Sequence, residues 1–160
     1  MLRLSKKADY ALIAMRHLAG APADSSVSAR EIAESYGIPP ELLAKVLQRL
    51  VRSRLLVSVQ GTRGGYRLAG DARLLTVADV IQAIDGPVAV TACSPDDHGC
   101  EQYDRCEIRD PLWKIKSRIV DALATVSLAE LAEPAPALGT PVAVPMYVRG
   151  TAPAPSQAVE

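Results

Sequence analysis

Hydrophobic residues in the first third of the chain recur every three or four positions, which is the spacing of amphipathic helices. This pattern predicts three helices, at about residues 5–19, 29–36 and 40–54. The apolar stripe of the first is formed by Tyr10, Ile13, Ala14 and Leu18. The second begins after Ser28, because Ser28 and Glu31 have the spacing of a capping box.

The second and third predicted helices are joined by a short turn that contains Gly37. Glycine readily adopts the left-handed conformation that ends many helices, and Pro40 suits the first turn of the next helix. Two helices joined in this way are typical of a helix-turn-helix motif. The second helix of that motif enters the major groove of DNA.

A β-hairpin is predicted directly after the third helix. Its strands are expected at residues 55–59 and 66–68, on either side of a glycine-rich turn. The glycines at 64 and 65 also suggest a nucleotide phosphate loop, but no Gly-Lys-Ser/Thr follows and they do not open a helix. A hairpin in this position is typical of the wing of a winged-helix domain.

Two further helices are predicted in the second half of the chain. Thr76 caps a short one at 77–84, and a long one spans about 111–131. The long helix carries an apolar stripe formed by Leu112, Ile115, Ile119, Ala122 and Val126. Steps of three and four residues are typical of helices that pair, so the stripe predicts a homodimer. The alternative is a helix that only closes the core of one subunit.

Proline and alanine are abundant in the last 28 residues, from Glu133 onward, which hold six of the twelve prolines. This composition favours an extended or disordered tail. The predicted fold class is mainly α with a small β wing. Three parts are expected: a winged helix-turn-helix DNA-binding domain at 1–75, a cysteine loop with a dimerisation helix at 76–132, and the tail at 133–160.

The net charge of zero conceals a difference between the two halves of the chain. Residues 1–70 carry 11 Lys/Arg and 5 Asp/Glu, a net charge of +6, whereas residues 71–160 carry 7 and 13, a net charge of −6. The basic half is expected to bind a polyanion, here double-stranded promoter DNA. No apolar run is long enough for a membrane span and the start lacks a signal-peptide pattern, so a cytoplasmic, non-membrane protein is expected.

The polar side of the third helix supplies the candidate contacts to DNA. Lys, Arg and Gln side chains can reach base edges and phosphates, although ordinary solvated helices show the same pattern. Arg63, at the tip of the hairpin, is expected to enter the minor groove. The other candidates are Glu41, Lys45 and Gln48 for base edges, Arg49, Arg52, Lys6 and Lys7 for phosphates, and Ser28 at the start of the second helix.

All three cysteines, Cys93, Cys100 and Cys106, lie in the stretch CSPDDHGCEQYDRC. Gly, Pro and acidic residues fill the gaps, which predicts an irregular loop. Three thiolates on one loop can hold a soft metal centre, and an odd number of cysteines argues against a disulfide framework. One alternative is a structural zinc site completed by His98 or Asp104. Another is a thiol redox protein, but the chain contains no Cys-x-x-Cys, and no enzyme activity is expected.

These motifs together resemble the bacterial Rrf-type winged-helix regulators, the family of IscR, NsrR and the regulators of SUF iron–sulfur assembly. The similarity runs from Leu2 to about Leu131. It includes Leu-Ser-Lys-Lys-Ala-Asp-Tyr-Ala-Leu at the start, Ile-Pro-Pro-Glu-Leu-Leu-Ala-Lys-Val-Leu in the third helix and Gly-Thr-Arg-Gly-Gly-Tyr-Arg-Leu in the wing. It continues through Leu-Thr-Val-Ala-Asp-Val-Ile-Gln-Ala-Ile-Asp-Gly-Pro to the three cysteines.

The resemblance implies a homodimeric transcription factor that carries an iron–sulfur cluster on each subunit. Cys93, Cys100 and Cys106 match the three cysteine ligands of the family. The family commonly has five residues in each gap between these cysteines, whereas the first gap here has six. One additional loop residue is compatible with the same three ligands.

The resemblance also suggests the fourth ligand. IscR-like members have His three residues after the last cysteine, where this chain has Arg109, which cannot ligate. NsrR-like members use an Asp early in the first helix, donated by the partner subunit, and Asp9 matches that position. Asp9 is therefore the expected ligand, with His98 as its rival and a site without a fourth protein ligand as the third option.

The implied function is regulation of transcription in response to the state of the cluster, to redox conditions or to nitric oxide. The helix-three residues resemble the NsrR and SUF-regulator branch, which implies control of iron–sulfur assembly or stress genes. The Asp9 match favours a 4Fe–4S cluster over 2Fe–2S.

Overall fold

The computed structural model describes residues 4–22, 25–61, 64–88 and 101–134. These residues fold into helices and one β-hairpin. The elements in chain order are α1 (Lys6–Ala19), α2 (Ala29–Tyr36), α3 (Pro40–Arg52), β1 (Leu56–Val59), β2 (Gly65–Leu68), α4 (Val77–Asp85), a 3₁₀ turn (Tyr103–Arg105), α5 (Arg109–Thr125) and α6 (Leu128–Ala132). The predicted fold class, mainly α with a small wing, is confirmed. Four predicted site residues lie outside the described ranges, namely Arg63, Cys93, His98 and Cys100.

Side-chain caps begin α2 and α4 at the predicted places. Ser28 Oγ accepts a hydrogen bond from the Glu31 amide at 3.1 Å, although the Glu31 carboxylate makes no reciprocal bond within the described residues. Thr76 and Asp79 form the complete capping box at the start of α4. Each cap satisfies an amide that the first helical turn leaves without a backbone partner.

Helix α1 is the central helix of the fold, since α3, α4, α6 and β2 all pack against it. Its buried residues are Ala8, Ala11, Ala14, Met15 and Leu18. The predicted stripe was partly wrong, because Tyr10 and Ile13 are only half-buried and the fully buried positions are mostly alanine. Several neighbouring elements crowd around α1, and alanine allows their backbones to approach it closely.

The turn between α2 and α3 has the predicted left-handed glycine. Gly37 has φ +62°, and the amide of Ile38 donates to the Ala33 carbonyl at 3.0 Å. Ile38 is 4% exposed and fixes the turn in the core. Helix α3 then packs inward through Leu43, Val46, Leu47 and Leu50. Its opposite face is therefore held rigidly outward.

The wing is an antiparallel hairpin in which Leu56 pairs with Leu68 at the base and Val59 with Gly65 near the tip. Val27 adds a bridge to Tyr66 beside β2, with backbone hydrogen bonds of 3.0 and 2.8 Å. A Cβ atom on Gly65 would collide with the Val27 carbonyl. The glycine therefore serves this close backbone approach, which the sequence pattern did not reveal.

The predicted long helix at 111–131 is in fact two helices. Helix α5 begins at Arg109 and ends at Thr125, Val126 is extended, and Ser127 caps α6. The break occurs because this segment bonds to the start of α4: Val77 donates to the Val126 carbonyl at 3.0 Å, and Leu128 donates to the Leu75 carbonyl at 2.8 Å. These bonds compete with continued helix, and they place Leu128 in the core with no exposed surface.

Candidate nucleic-acid interface and metal centre

A polar stripe runs along the outward face of α3. It consists of Glu41, Lys45, Gln48 and Arg52, which follow each other in steps of four, three and four, with Arg49 beside them. All five are exposed, whereas the opposite face of α3 is buried. The structure therefore brings the sequence-predicted base-edge candidates and two of the phosphate candidates onto one rigid surface, which we call the α3 face.

A cleft of about 190 Å³ lies beside the α3 face. Four cations from α1 and α3 surround it, Lys7, Lys45, Arg49 and Arg52, and its apolar lining is Leu42, Val46 and Ile84. Because like charges repel, four cations around one cleft favour a polyanionic partner such as the phosphates of DNA. Lys6 is exposed on the same turn of α1 but does not line the cleft.

The last turn of α4 ties the α3 face to the start of α1. Arg49 Nε donates to the Ala83 carbonyl at 2.8 Å. Ser5, the cap of α1, donates to the two Asp85 carboxylate oxygens through its amide at 3.0 Å and its hydroxyl at 2.6 Å. Asp85 is separated from Ser5 by 80 residues, so sequence reasoning found only a helix end there. Residues 86–88 continue from this turn towards the cysteine loop.

Asp9, the expected fourth ligand, lies in the first turn of α1 and is exposed. Its backbone amide bonds to the Ser5 carbonyl at 3.1 Å, and its carboxylate has no hydrogen-bond or ion-pair partner within the described residues. Asp9 is thus held at a fixed point of α1 with its carboxylate open to an external group.

Cys106 is the one predicted cysteine ligand inside the described ranges, where it has a free thiol and is half-buried. It directly follows the 3₁₀ turn, and two residues separate it from α5. In the described parts of the chain no three His, Cys, Asp or Glu side chains gather into a metal-binding group. Two of the three expected cysteine ligands, Cys93 and Cys100, lie beyond those parts.

Arg109, just after Cys106, lies close to two aromatic rings. Its guanidinium carbon is 4.8 Å from the centre of the Tyr103 ring and 5.4 Å from that of Trp113. Nε pairs with the Asp110 carboxylate at 2.9 Å, and Nη1 donates to the Tyr103 carbonyl at 3.3 Å. The bond to Asp110 raises the pKa of Arg109, and nearby Cys106 adds to that rise. In the sequence, Arg109 stood out only as a residue that cannot ligate iron.

The donor chemistry of this region fits an iron–sulfur cluster. Thiolates are the ligands that hold such clusters, and a carboxylate is an acceptable harder ligand. The Arg109 cation is near enough to Cys106 for a favourable charge interaction with the thiolate form of that residue. Zinc also binds thiolates, so the donor set alone does not separate these two metals.

Helix α5 has an apolar side that its own chain covers only in part. None of its 17 residues is buried, and Ile115 is 47% exposed. Ile108, which precedes the helix, is 63% exposed. The helix packs on α4. No helix in the described ranges has both the length and the apolar character to cross a bilayer.

Comparison with known proteins places this architecture among bacterial regulators. Residues 4–134 match the Rrf2 family, described as iron-dependent transcriptional regulators. The HTH-type transcriptional regulator IscR of Xenorhabdus nematophila is 37% identical over 131 residues, which cover 81% of this chain and 79% of that protein.

Solved structures share the fold. CymR, the global cysteine regulator of B. subtilis, matches with a TM-score of 0.68 at 27% identity, over 82% of this chain and 97% of CymR. IscR of T. potens matches with a TM-score of 0.64 at 28% identity, over 81% of this chain and 85% of that one. The relatives are named as transcriptional regulators, which are not enzymes. The chain belongs to the Rrf2 family of iron-dependent transcriptional regulators.

Proposed function

We propose that the protein is a homodimeric, cytoplasmic transcriptional regulator that binds promoter DNA and responds to the state of an iron–sulfur cluster. The observation that carries the DNA-binding part is the α3 face, a rigid polar stripe beside a cleft with four cations. The observation that carries the cluster part is the set of three cysteines in one loop of a family described as iron-dependent. Control of iron–sulfur assembly or stress genes is the proposed role.

The α3 face is the proposed reading surface. Glu41, Lys45 and Gln48 contact base edges, because they form the part of the stripe that points away from the protein core. Phosphate contacts come from Lys6, Lys7, Arg49 and Arg52. Ser28, whose oxygen caps α2, contributes from the start of that helix. Arg63, which lies between β1 and β2 in the sequence, is proposed to reach the minor groove.

Dimerisation through α5 is proposed because its apolar side is only partly covered in the single chain. Ile115, the second residue of the predicted stripe, is 47% exposed. A second copy of the same helix would bury this surface and would place two α3 faces at neighbouring half-sites. Half-sites one helical turn apart require a spacing of about 34 Å, so the reading depends on dimer geometry.

Cys93, Cys100 and Cys106 are proposed to hold the cluster, with Asp9 of the partner subunit as the fourth ligand. The cluster, preferably 4Fe–4S, supplies a centre that oxidants or nitric oxide can alter. The open carboxylate of Asp9 supports this role, since it needs no internal bond to be broken before it ligates. A carboxylate is also the hardest member of the donor set and so the weakest bond to the site.

The contacts around α4 supply a route from the loop to DNA. Loss of the Asp9 bond would release the first turn of α1, which Ser5 ties to Asp85 at the end of α4. Arg49 on the α3 face is tied to the same turn through Ala83. A movement of this turn therefore changes both a phosphate-binding side chain and the segment that enters the cysteine loop.

Removal of one phosphate contact is expected to change the salt dependence of DNA binding. Arg52→Ala should lower the slope of log affinity against log salt by about one for each subunit, because one fewer counterion is released. The measurement is fluorescence anisotropy with genomic duplex DNA over a salt series. Arg73→Ala is the control, since Arg73 is an exposed cation paired with Asp71 at 2.6 Å beyond the base of the wing. Equal changes in slope for both variants would contradict the assignment of the α3 face.

Anaerobic purification is expected to give a coloured protein with equal iron and sulfide, about four of each per chain for a 4Fe–4S cluster. Asp9→Ala should alter the absorption spectrum because it removes a ligand, whereas His98→Ala should leave it unchanged. A spectrum that responds to His98→Ala and not to Asp9→Ala would reverse the choice of fourth ligand. Colourless, zinc-containing protein that cannot be reconstituted with iron and sulfide would leave a regulator with a structural metal.

A charge placed on the apolar side of α5 is expected to separate the subunits. Ile115→Glu should raise the dimer dissociation constant at least roughly tenfold, because the interface loses apolar burial and gains a buried carboxylate. Ser117→Glu adds the same charge at an exposed position two residues away and should have little effect. Sedimentation velocity over a concentration series measures both. An unchanged dimer in Ile115→Glu would place the interface elsewhere.

A further inference from the structure

The position of Arg109 is unusual for a cation, because it is the first residue of α5. The amides at a helix start make that end partially positive, so a cation is electrostatically disfavoured there and an anion is favoured. Asp110, the next residue, agrees with this rule, and its carboxylate pairs with Arg109 at 2.9 Å. The helix itself therefore gives no reason for an arginine, and its side-chain contacts must provide one.

Those contacts place the arginine against two aromatic rings. Its guanidinium lies 4.8 Å from the Tyr103 ring centre and 5.4 Å from that of Trp113. Its side chain is 28% exposed, much less than the 65% of Asp110. A planar, always-charged guanidinium stacks on aromatic faces in a way that a lysine ammonium does not. We call Tyr103, Arg109 and Trp113 the arginine clamp.

The clamp spans the last cysteine. Tyr103 precedes Cys106 by three residues and Arg109 follows it by three. The hydrogen bond from Arg109 Nη1 to the Tyr103 carbonyl, 3.3 Å long, closes this segment into a small loop with Cys106 at its middle. Trp113 then fastens the loop to the next turn of α5. Cys106 cannot move far from α5 while the clamp is closed.

Trp113 makes the clamp visible in solution. It is the single tryptophan of the chain. Its indole Nε1 is buried and has no hydrogen-bond partner within the described residues. The Arg109 guanidinium lies over the Trp113 ring. Removal of that side chain is therefore expected to expose the ring to water, and tryptophan emission reports this change.

We propose that Arg109 is a positioning residue that locks Cys106 to the start of α5 and so couples the cysteine loop to the dimer helix. This inference rests on the proposed function, in which Cys106 binds the cluster and α5 pairs with its copy. Residues that orient metal ligands commonly change metal affinity by about 10- to 100-fold when they are replaced. Arg109 therefore supports a ligand, Cys106, from the position at which IscR-like members have a ligating histidine.

The test compares Arg109→Ala, Arg109→Lys and Arg105→Ala with the unaltered full-length protein. Arg105→Ala is the matched control, because it removes the same charge next to Cys106 from an exposed side chain. Tryptophan emission and acrylamide quenching are first measured on iron-free protein. The Arg109 variants should shift the emission to longer wavelength and increase quenching, and Arg105→Ala should do neither. Arg109→Lys keeps the charge and the fold but loses the stacking, so it separates these effects from misfolding.

The second readout is the rate at which reconstituted protein loses its iron to a chelator without oxygen. Arg109→Ala should accelerate this loss roughly tenfold and Arg105→Ala should not. Unchanged tryptophan emission in both Arg109 variants, or equal acceleration by Arg105→Ala, would overturn the clamp. If the unaltered protein takes up no iron and sulfide, the proposed function is refuted, and the coupling between the cluster and α5 falls with it. The fluorescence measurement on iron-free protein still tests the clamp by itself, so the two failures can be told apart.

Discussion

The packing around α1 is the constraint on which the rest of the structure depends. Three fully buried alanines, Ala8, Ala11 and Ala14, leave room for α3, α4, α6 and β2 to pack against one helix. Helix α3, the proposed reading helix, and α4, which leads into the cysteine loop, therefore both pack on the same helix. The outer side of that support carries Asp9, which is exposed. A displacement of Asp9 therefore acts on α1, the helix against which both α3 and α4 pack.

Hydrogen bonds made by two charged side chains, Asp85 and Arg49, add to the packing contacts between α1, α3 and α4. Asp85 bonds to Ser5 at the start of α1, and Arg49 bonds to the same turn of α4 from the α3 face. On the other side of the cysteine loop, Arg109 holds Tyr103 and Trp113 together. The segment before the cysteine loop, the last turn of α4, is therefore bonded to α3. The segment after the loop, which includes Tyr103, is bonded to the start of α5. This arrangement fits a regulator in which a change at the metal alters the spacing of two reading helices.

Local rules predicted much of the fold, because caps and turns depend on a few neighbouring residues. Ser28, Thr76 and Gly37 have the predicted roles, and the wing lies within one residue of its expected limits. The break after Thr125 was not predictable, since it results from bonds to residues some 50 positions earlier. The cysteine spacing indicated the donor chemistry, whereas the clamp depends on rings that meet only in the folded chain.

The most direct test is the DNA affinity of one dimer preparation with and without its cluster. Anaerobic fluorescence anisotropy would use a duplex selected from a random pool by the iron-loaded protein. The account predicts that removal of iron and sulfide changes the dissociation constant substantially. It further predicts that in Asp9→Ala the loaded and unloaded forms bind alike, because the link to α1 is already broken. Equal affinities for the loaded and unloaded unaltered protein would contradict control of DNA binding by the cluster.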